Sequence, residues 1–460
     1  MKRVLVIGIL MVFAGAPFAL SSGLSIPEQG AAAMGMSAAM TARSEDLSAL
    51  YYNPAGLDYV EGLEVMAGVT PIMPSHHYSP FYDDKRDFRF KAIESESNTF
   101  LPPQLYAAFR MNSKMVLGLG VFAPFGLGTE WNDKWNGRYT STYADIKTIY
   151  INPSLALEMT DKATLGVGVS YVTSSAAIEK MVDAGALIST NLMGNTEYDS
   201  KFKLDGDASA VTYNLGLIVR PAKQWQLGVS YRAAYDLEYD GKAKFIHANK
   251  IIPVPDGHGG VVMLPLSAVL GAQLPASQDG KATLNMPWML NFGSKFDITP
   301  KWDFSADLNL VGWSVYKDLV LDFDKDLPAD KQVLKKNWKN SFVVRGGTSY
   351  DYSDKLILRA GALIDKNPVP DETFDGQLPD SNRYGLSVGA GYTLGRVRFD
   401  ASYMLLNFFK REKDNGIGMS ADTTGDGTID RFDIPPGYQV GNGIYESRAH
   451  MLSISASVMF

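Results

Sequence analysis

Period-two alternation of apolar with small or polar residues, repeated in short segments to the last residue, is the feature that most limits how this chain can fold. Leu452, Ile454, Ala456, Val458 and Phe460 share one face, opposite Ser453, Ser455 and Ser457. Leu165, Val167, Val169 and Tyr171 oppose Gly166, Gly168 and Ser170; Leu227, Val229 and Tyr231 oppose Gly228, Ser230 and Arg232. Tyr384, Leu386, Val388, Ala390 and Tyr392 repeat the pattern opposite Gly385, Ser387, Gly389 and Gly391. A helix would need a period near 3.6, so these segments read as strands with one apolar face.

Punctuation between the strands constrains the topology. Six tight turns carry a basic residue just before the next strand: Asn112-Ser113-Lys114, Thr160-Asp161-Lys162, Pro221-Ala222-Lys223, Thr299-Pro300-Lys301, Ser353-Asp354-Lys355 and Leu394-Gly395-Arg396. Between them lie longer polar or irregular stretches near residues 75–98, 127–142, 176–201, 246–279, 324–338, 366–381 and 412–444. Six short turns alternating with seven long loops, and Tyr or Trp near strand ends, predict an all-β, 14-stranded antiparallel transmembrane β-barrel over residues 61–460. Lipid offers no hydrogen-bond partner, so a sheet can cross a membrane only by closing on itself. A soluble sandwich or propeller would bury its apolar face, and would not set that face against Gly, Ser and Arg in nearly every strand.

Composition removes other classes. A net charge of -7 with no basic run argues against a nucleic-acid partner, and zero cysteine excludes disulfide scaffolds, thiolate metal sites and thiol nucleophiles. Lys2 and Arg3, the apolar run Val4 to Phe13 and the small-x-small site Ala19-Leu20-Ser21 predict a signal peptide over residues 1–21. Export without cysteine, together with a barrel, predicts the Gram-negative outer membrane, where a monomer would contact lipid and lipopolysaccharide. Residues 22–60 do not alternate. Their run of Gly, Ala, Met and Ser from Gly30 to Met40, ending in Tyr51-Tyr52-Asn53-Pro54-Ala55-Gly56-Leu57, suits an N-terminal hatch folded inside the barrel lumen; a periplasmic tail is the alternative.

The Asn53-Pro54-Ala55 motif closing that segment resembles the hatch of the long-chain fatty acid and hydrocarbon transporters of Gram-negative outer membranes, the FadL/TodX type. Gly126-Leu127-Gly128-Thr129-Glu130-Trp131-Asn132-Asp133, Trp338-Lys339-Asn340, Asp365 to Asp371 and Pro379-Asp380-Ser381-Asn382-Arg383-Tyr384 carry the same resemblance, which spans residues 24 to 460. It implies a transporter in which a hydrophobic ligand is caught on outer loops, passes to a lumenal site and leaves sideways into the bilayer by passive diffusion. By that resemblance Leu24 or Ile26 contacts ligand; a carboxylate would need a cation, and Lys339 in the family-like Trp-Lys-Asn is the first candidate, with Arg345 and Arg359 at inward-facing positions after it. The kinked strand beside the lateral opening corresponds to Pro124, Gly126 and Gly128, where proline and glycine let pairing lapse. Where fatty-acid transporters carry an arginine at the end of strand five, this chain has Thr173-Ser174-Ser175-Ala176, which keeps aromatic or alkane hydrocarbons in view as ligands.

Two loops are more apolar than an extracellular loop requires. Val261, Val262 and Leu264 lie in one; Ile178, Leu187 and Ile188, at roughly helical spacing, lie in the other, and together they could form an outer groove. Asp422, Thr424, Asp426, Asp430 and Asp433 fit an oxygen-ligand calcium loop without its usual terminal glutamate; no other cofactor is expected. The five histidines have no recognisable nucleophile pairing, so an enzyme is not expected. A general porin for polar solutes remains the rival reading.

Overall fold

A computed structural model describes residues 23–81, 91–271, 274–323, 331–415 and 440–460. The segment read as a signal peptide and the Asp-rich loop from Asp422 to Asp433 lie outside the described residues. Among the described residues, fourteen antiparallel wall strands close into a barrel. The first, Leu63–Val69 continued by Ile72–Pro80, pairs with the second, Pro103–Asn112, on one side and with the fourteenth, Gly443–Met459, on the other. The third is Met115–Phe122 continued by Gly126–Glu130, and the fourth to sixth are Tyr143–Thr160, Ala163–Val182 and Ser200–Ala222. The seventh runs Trp225–Arg232 then Tyr235–Ile246, and the eighth Gln278–Met286 then Met289–Thr299. The ninth runs Trp302–Val311 then Asp318–Phe323, and the tenth Lys331–Lys335 then Ser341–Asp351. Leu356–Asp365, Arg383–Leu394 and Val397–Phe408 complete the wall. All six predicted tight turns join consecutive strands.

The outward face carries the alternation seen in the sequence. Leu165, Val167, Val169, Leu386, Val388, Leu452 and Ile454 are exposed, while Ser453, Ser455 and Ser457 are buried toward the lumen. Trp225, Trp302, Tyr350, Tyr352 and Tyr392 stand exposed beside the short turns, as an interfacial aromatic girdle does. On the opposite side the wall rises above the lipid. At about 3.3 Å per residue, the 23-residue sixth strand runs roughly 75 Å, far more than the ~25 Å apolar band needs even when tilted. The seventh strand marks the transition: beyond the interruption at Ala233 and Ala234, its exposed residues are Asp236, Glu238, Asp240, Lys242 and Lys244, with Ile246 at its end, whereas Leu237, Tyr239 and Ala243 stay buried within. The eighth, ninth and tenth strands break at similar places, around residues 287–288, 312–317 and 336–340. The wall therefore has a lipid-facing tier and an outer tier.

One loop expectation is corrected. Residues 176–182 are not helical; they extend the fifth strand, pairing Ala176 with Gly206 and Val182 with Ser200, and helix is confined to Ala184–Ile188. The apparent helical spacing came from a strand alternation that runs straight into a one-turn helix. Ile178 consequently points into the barrel.

Residues 24–60 lie inside the ring, in short helical turns at Ala31–Met34, Ala49–Tyr52 and Pro54–Tyr59. Their contacts go all round it. Asn53 Nδ2 donates to Thr41 O at 2.7 Å and to Leu217 O of the sixth strand at 3.2 Å, while Asn53 Oδ1 accepts from Ala55 N at 3.1 Å. Asn53 and Pro54 sit against Gly166 and Gly216, positions where a Cβ would collide with them. Arg43 makes a bidentate bond to Asp303 of the ninth strand at 2.7 and 2.9 Å and a further bond to Glu45 at 2.5 Å. Arg345 Nη1 donates to Ser37 O at 2.9 Å, and Ser37 N donates to Ser387 Oγ at 2.9 Å, which holds Ser37 at its left-handed φ of 51°.

Candidate functional site

The second and third strands pair from Asn112 opposite Met115 to Gln104 opposite Phe122. Continuing that register would set Pro103 against Ala123 and Pro102 against Pro124. Three of those four residues have no N–H, so the ladder stops there. The third strand resumes at Gly126 paired with the fourth alone among the described residues, and Glu96 N donating to Glu130 O at 2.8 Å bounds the gap above. A cavity of about 260 Å³ fills this gap. Leu101 and Ile149, which line it, are exposed on the lipid-facing side, whereas Ser25, Ile26 and Glu28 line it from the lumen. It therefore runs through the wall.

The N-terminal segment stands where the missing neighbour would be. Ile26 N donates to Pro124 O at 2.7 Å, Gly126 N donates to Leu24 O at 3.0 Å, and Ser25 bridges Phe125. Leu24 and Ile26 face different cavities, Ile26 the wall gap and Leu24 a second chamber. This segment, together with Ile146 and Leu378, which line both cavities, forms the partition between them; besides its two backbone bonds to the third strand, Tyr52 donates to Pro27 O at 2.6 Å and Gln104 Nε2 to Glu28 O at 3.2 Å.

The second chamber lies within the outer tier, between strands four to nine and the outer loops. Ile146, Ala176, Ile178, Leu284, Leu321 and Trp338 give it an apolar lining. Its polar end is Lys336, whose Nζ lies 3.4 Å from Asp375 Oδ2 and 3.4 Å from Gln377 Oε1. Burial opposes the lysine's charge, but Asp375 and Tyr316 outweigh that and hold its pKa above the ordinary lysine value. The ammonium is therefore charged and already balanced. Ser174 and Tyr239 share a hydrogen bond at 2.7 Å, and of the Thr173–Ala176 stretch only Ala176 lines the chamber, which therefore receives a methyl there rather than a guanidinium.

The expected site residues are distributed unevenly over this geometry. Leu24 and Ile178 line the chamber, and Ile26, Gly126 and Gly128 line the gap, with the Phe100 ring lying over Gly128. Pro124 supplies the carbonyl that binds Ile26. Lys339 is exposed, its backbone N–H donating to Pro368 O at 2.9 Å, and the cation that faces the chamber is Lys336. The signal was present: Lys336 and the buried Trp338 share parity, while Lys339 does not. Arg345 binds the lumenal segment, and Arg359 is paired with Asp400 at 2.9 Å. On the outer loops, Leu187, Val261 and Val262 are exposed, Leu264 is half-buried opposite Ile252 in a hairpin, and Ile188 packs against Ala184, Leu266 and Leu270. These loops pack on one another and leave the hairpin's Val261–Met263 edge uncovered. Among the described residues no cluster of His, Asp and Glu could hold a metal.

A family model described as outer membrane protein transport protein (OMPP1/FadL/TodX) matches residues 12–460. A long-chain fatty acid transport protein of Salmonella typhi is 25% identical over 403 residues, covering 84% of this chain and 88% of its own length. Among solved structures, a Pseudomonas aeruginosa FadL homologue superposes with a TM-score of 0.78 at 19% identity, covering 95% of this chain and 100% of its own. The Pseudomonas putida toluene transporter TodX gives 0.65 at 17%, covering 96% and 99%. The last two likenesses concern the fold.

Proposed function

The chain belongs to the OMPP1/FadL/TodX family of outer membrane transport proteins, and we propose that it admits long-chain fatty acids or similar hydrophobic compounds by passive diffusion: from the outer loops to the lumenal chamber, then sideways through the wall gap into lipid. The family consists of transport channels for hydrophobic compounds rather than enzymes, and its place is the outer membrane. The observation that carries the finer reading is the partition itself. An apolar chamber and a cavity reaching the lipid face share Ile146 and Leu378 in their linings and are divided there by the segment from Gly23 to Glu28, so a displacement of that segment would join them. Lateral release suits an apolar cargo, which gains about 0.8 kcal/mol per methylene by entering lipid instead of water.

Affinity in such a chamber comes from burial. In a saturated homologous series, each added methylene is expected to tighten binding to the refolded protein about fourfold until the chamber is filled. Isothermal titration in detergent would show it. Affinity independent of chain length, with steady salt conductance in planar bilayers, would instead favour the porin for polar solutes. A second reading, uptake of aromatic or alkane hydrocarbons, is favoured by the balanced Lys336–Asp375 pair, because the chamber itself asks for no anion.

A further inference from the structure

Below the partition, toward the lumenal segment, a third cavity of about 30 Å³ is lined by Tyr51, Tyr52, Asn214, Ser230, Arg232 and Arg345, with Ser25 shared between it and the wall gap. That volume admits a water molecule or a small polar head and excludes an alkyl chain. Arg232 is its unusual member. The side chain is 4% exposed, and its guanidinium carbon lies 5.5, 5.7 and 5.6 Å from the ring centres of Tyr51, Phe122 and Tyr150. One nitrogen donates to Tyr51 O at 3.1 Å. Its Nη1 has no acceptor among the described residues, and no carboxylate among them forms an ion pair with it. Asn214 Nδ2, on the same cavity, likewise lacks an acceptor, its Oδ1 being taken by Asn152 at 3.0 Å.

The neighbouring cation is differently placed. Arg345 is satisfied by Asn309 Oδ1 at 2.8 Å and Ser37 O at 2.9 Å, with Glu28 at 3.8 Å. Two buried donors thus converge without acceptors, one of them an unbalanced positive charge screened by aromatic faces rather than by water. Such a charge is costly to bury unless an anion meets it.

The geometry points to Arg232 and Asn214 as the seat of a carboxylate head group on the transported amphiphile. This rests on the transporter reading above and sharpens it: the chamber with its balanced Lys336 accepts any hydrophobic chain, whereas the acid is distinguished at Arg232, once the segment around Ser25 has shifted. The alkyl chain then remains in the chamber or the wall gap, since only the head fits.

The test uses the full refolded protein with a long-chain fatty acid carrying ¹³C at the carboxyl, its methyl ester, and the alkane of equal length. The acid is expected to bind about tenfold tighter than the ester or more, as charge-assisted bonds allow. Its carboxyl signal is expected to titrate at least about one pH unit below the free acid in the same detergent, because a guanidinium favours the ionised form. In Arg232→Met the preference and the displaced titration both disappear while ester affinity stays; Arg232→Lys keeps part of each. Should the substitution disturb the lumenal segment, the titration of the unsubstituted protein still decides. Acid and ester binding alike, with a carboxyl that titrates normally, would overturn the assignment to Arg232 and leave the transporter reading standing. Chloride line broadening that depends on Arg232, without any acid preference, would show a free anion there and overturn it too. Binding of none of the three compounds would sink the transporter reading itself.

Discussion

Replacing Pro102, Pro103 and Pro124 together, as Pro102→Thr, Pro103→Val and Pro124→Thr, is expected to slow lateral delivery sharply while leaving capture intact. The ladder between the second and third strands ends at Gln104 and Phe122, and the residues that would extend it are prolines on both sides. Neighbouring residues of a strand point their N–H groups to opposite sides, so at most two of the three restored groups join this ladder. At about 1 kcal/mol net per bond, this raises the cost of opening by up to about 2 kcal/mol, roughly thirtyfold in rate. Transfer of a fluorescent fatty acid into proteoliposomes should fall accordingly, with equilibrium binding in the chamber unchanged. Undiminished transfer would place the exit elsewhere.

Arg43→Ala is expected to turn the closed barrel into an ion-conducting one. Arg43 is buried, bound to both oxygens of Asp303, to Ser305 and to Glu45, and it ties residues 41–46 to the ninth strand. Asp303 is partly exposed and keeps Lys295 at 3.9 Å, so the loss is that of the charge-assisted bonds themselves, about 1.5–3 kcal/mol. Wall pairing does not involve this side chain. The loss therefore falls on the lumenal segment, and the barrel should keep its heat-modifiable mobility on gels while planar-bilayer conductance rises and residues 24–60 become sensitive to protease. Conductance equal to that of the parent protein would show that other contacts, such as Asn53 and Arg345, suffice to hold the segment.

Much of the wall was legible because lipid imposes a local rule. Alternate residues of a spanning strand must be apolar, so Leu452, Ile454 and Val388 announced themselves, and the basic residue after each short turn marked the lower rim. The outer tier was harder to see. The stretch 176–201 reads as a loop, yet the fifth strand runs on through it to Val182 and the sixth begins at Ser200. Ile178 was misplaced for the same reason, since a strand that leaves the lipid no longer needs an apolar outer face.

The site divides along similar lines. Pro124, Gly126 and Gly128 were readable from chemistry that local sequence carries, because proline and glycine interrupt a ladder wherever they occur. That Pro102 and Pro103 face them depends on register, which is not local. Lys339 carries the Trp-Lys-Asn motif, but it is Lys336 that shares the buried parity of Trp338. Arg232 had the inward parity opposite Leu227 and Val229, yet what sets it apart is that no acid among the described residues forms an ion pair with it. That property exists only in three dimensions.

The route through the wall is tested most directly by trapping a cargo in transit. A long-chain fatty acid with a photoreactive terminal group would be added to proteoliposomes containing the unsubstituted protein, irradiated during transfer, and the labelled residues mapped by mass spectrometry. Lateral exit predicts labelling of Phe100, Leu101 and Ile149 around the gap, along with chamber residues such as Ile178 and Trp338. Labelling that instead continues past the lumenal segment to Lys223, Lys301 and Arg398 at the short-turn mouth would mean the cargo runs straight through the barrel, and would contradict the account.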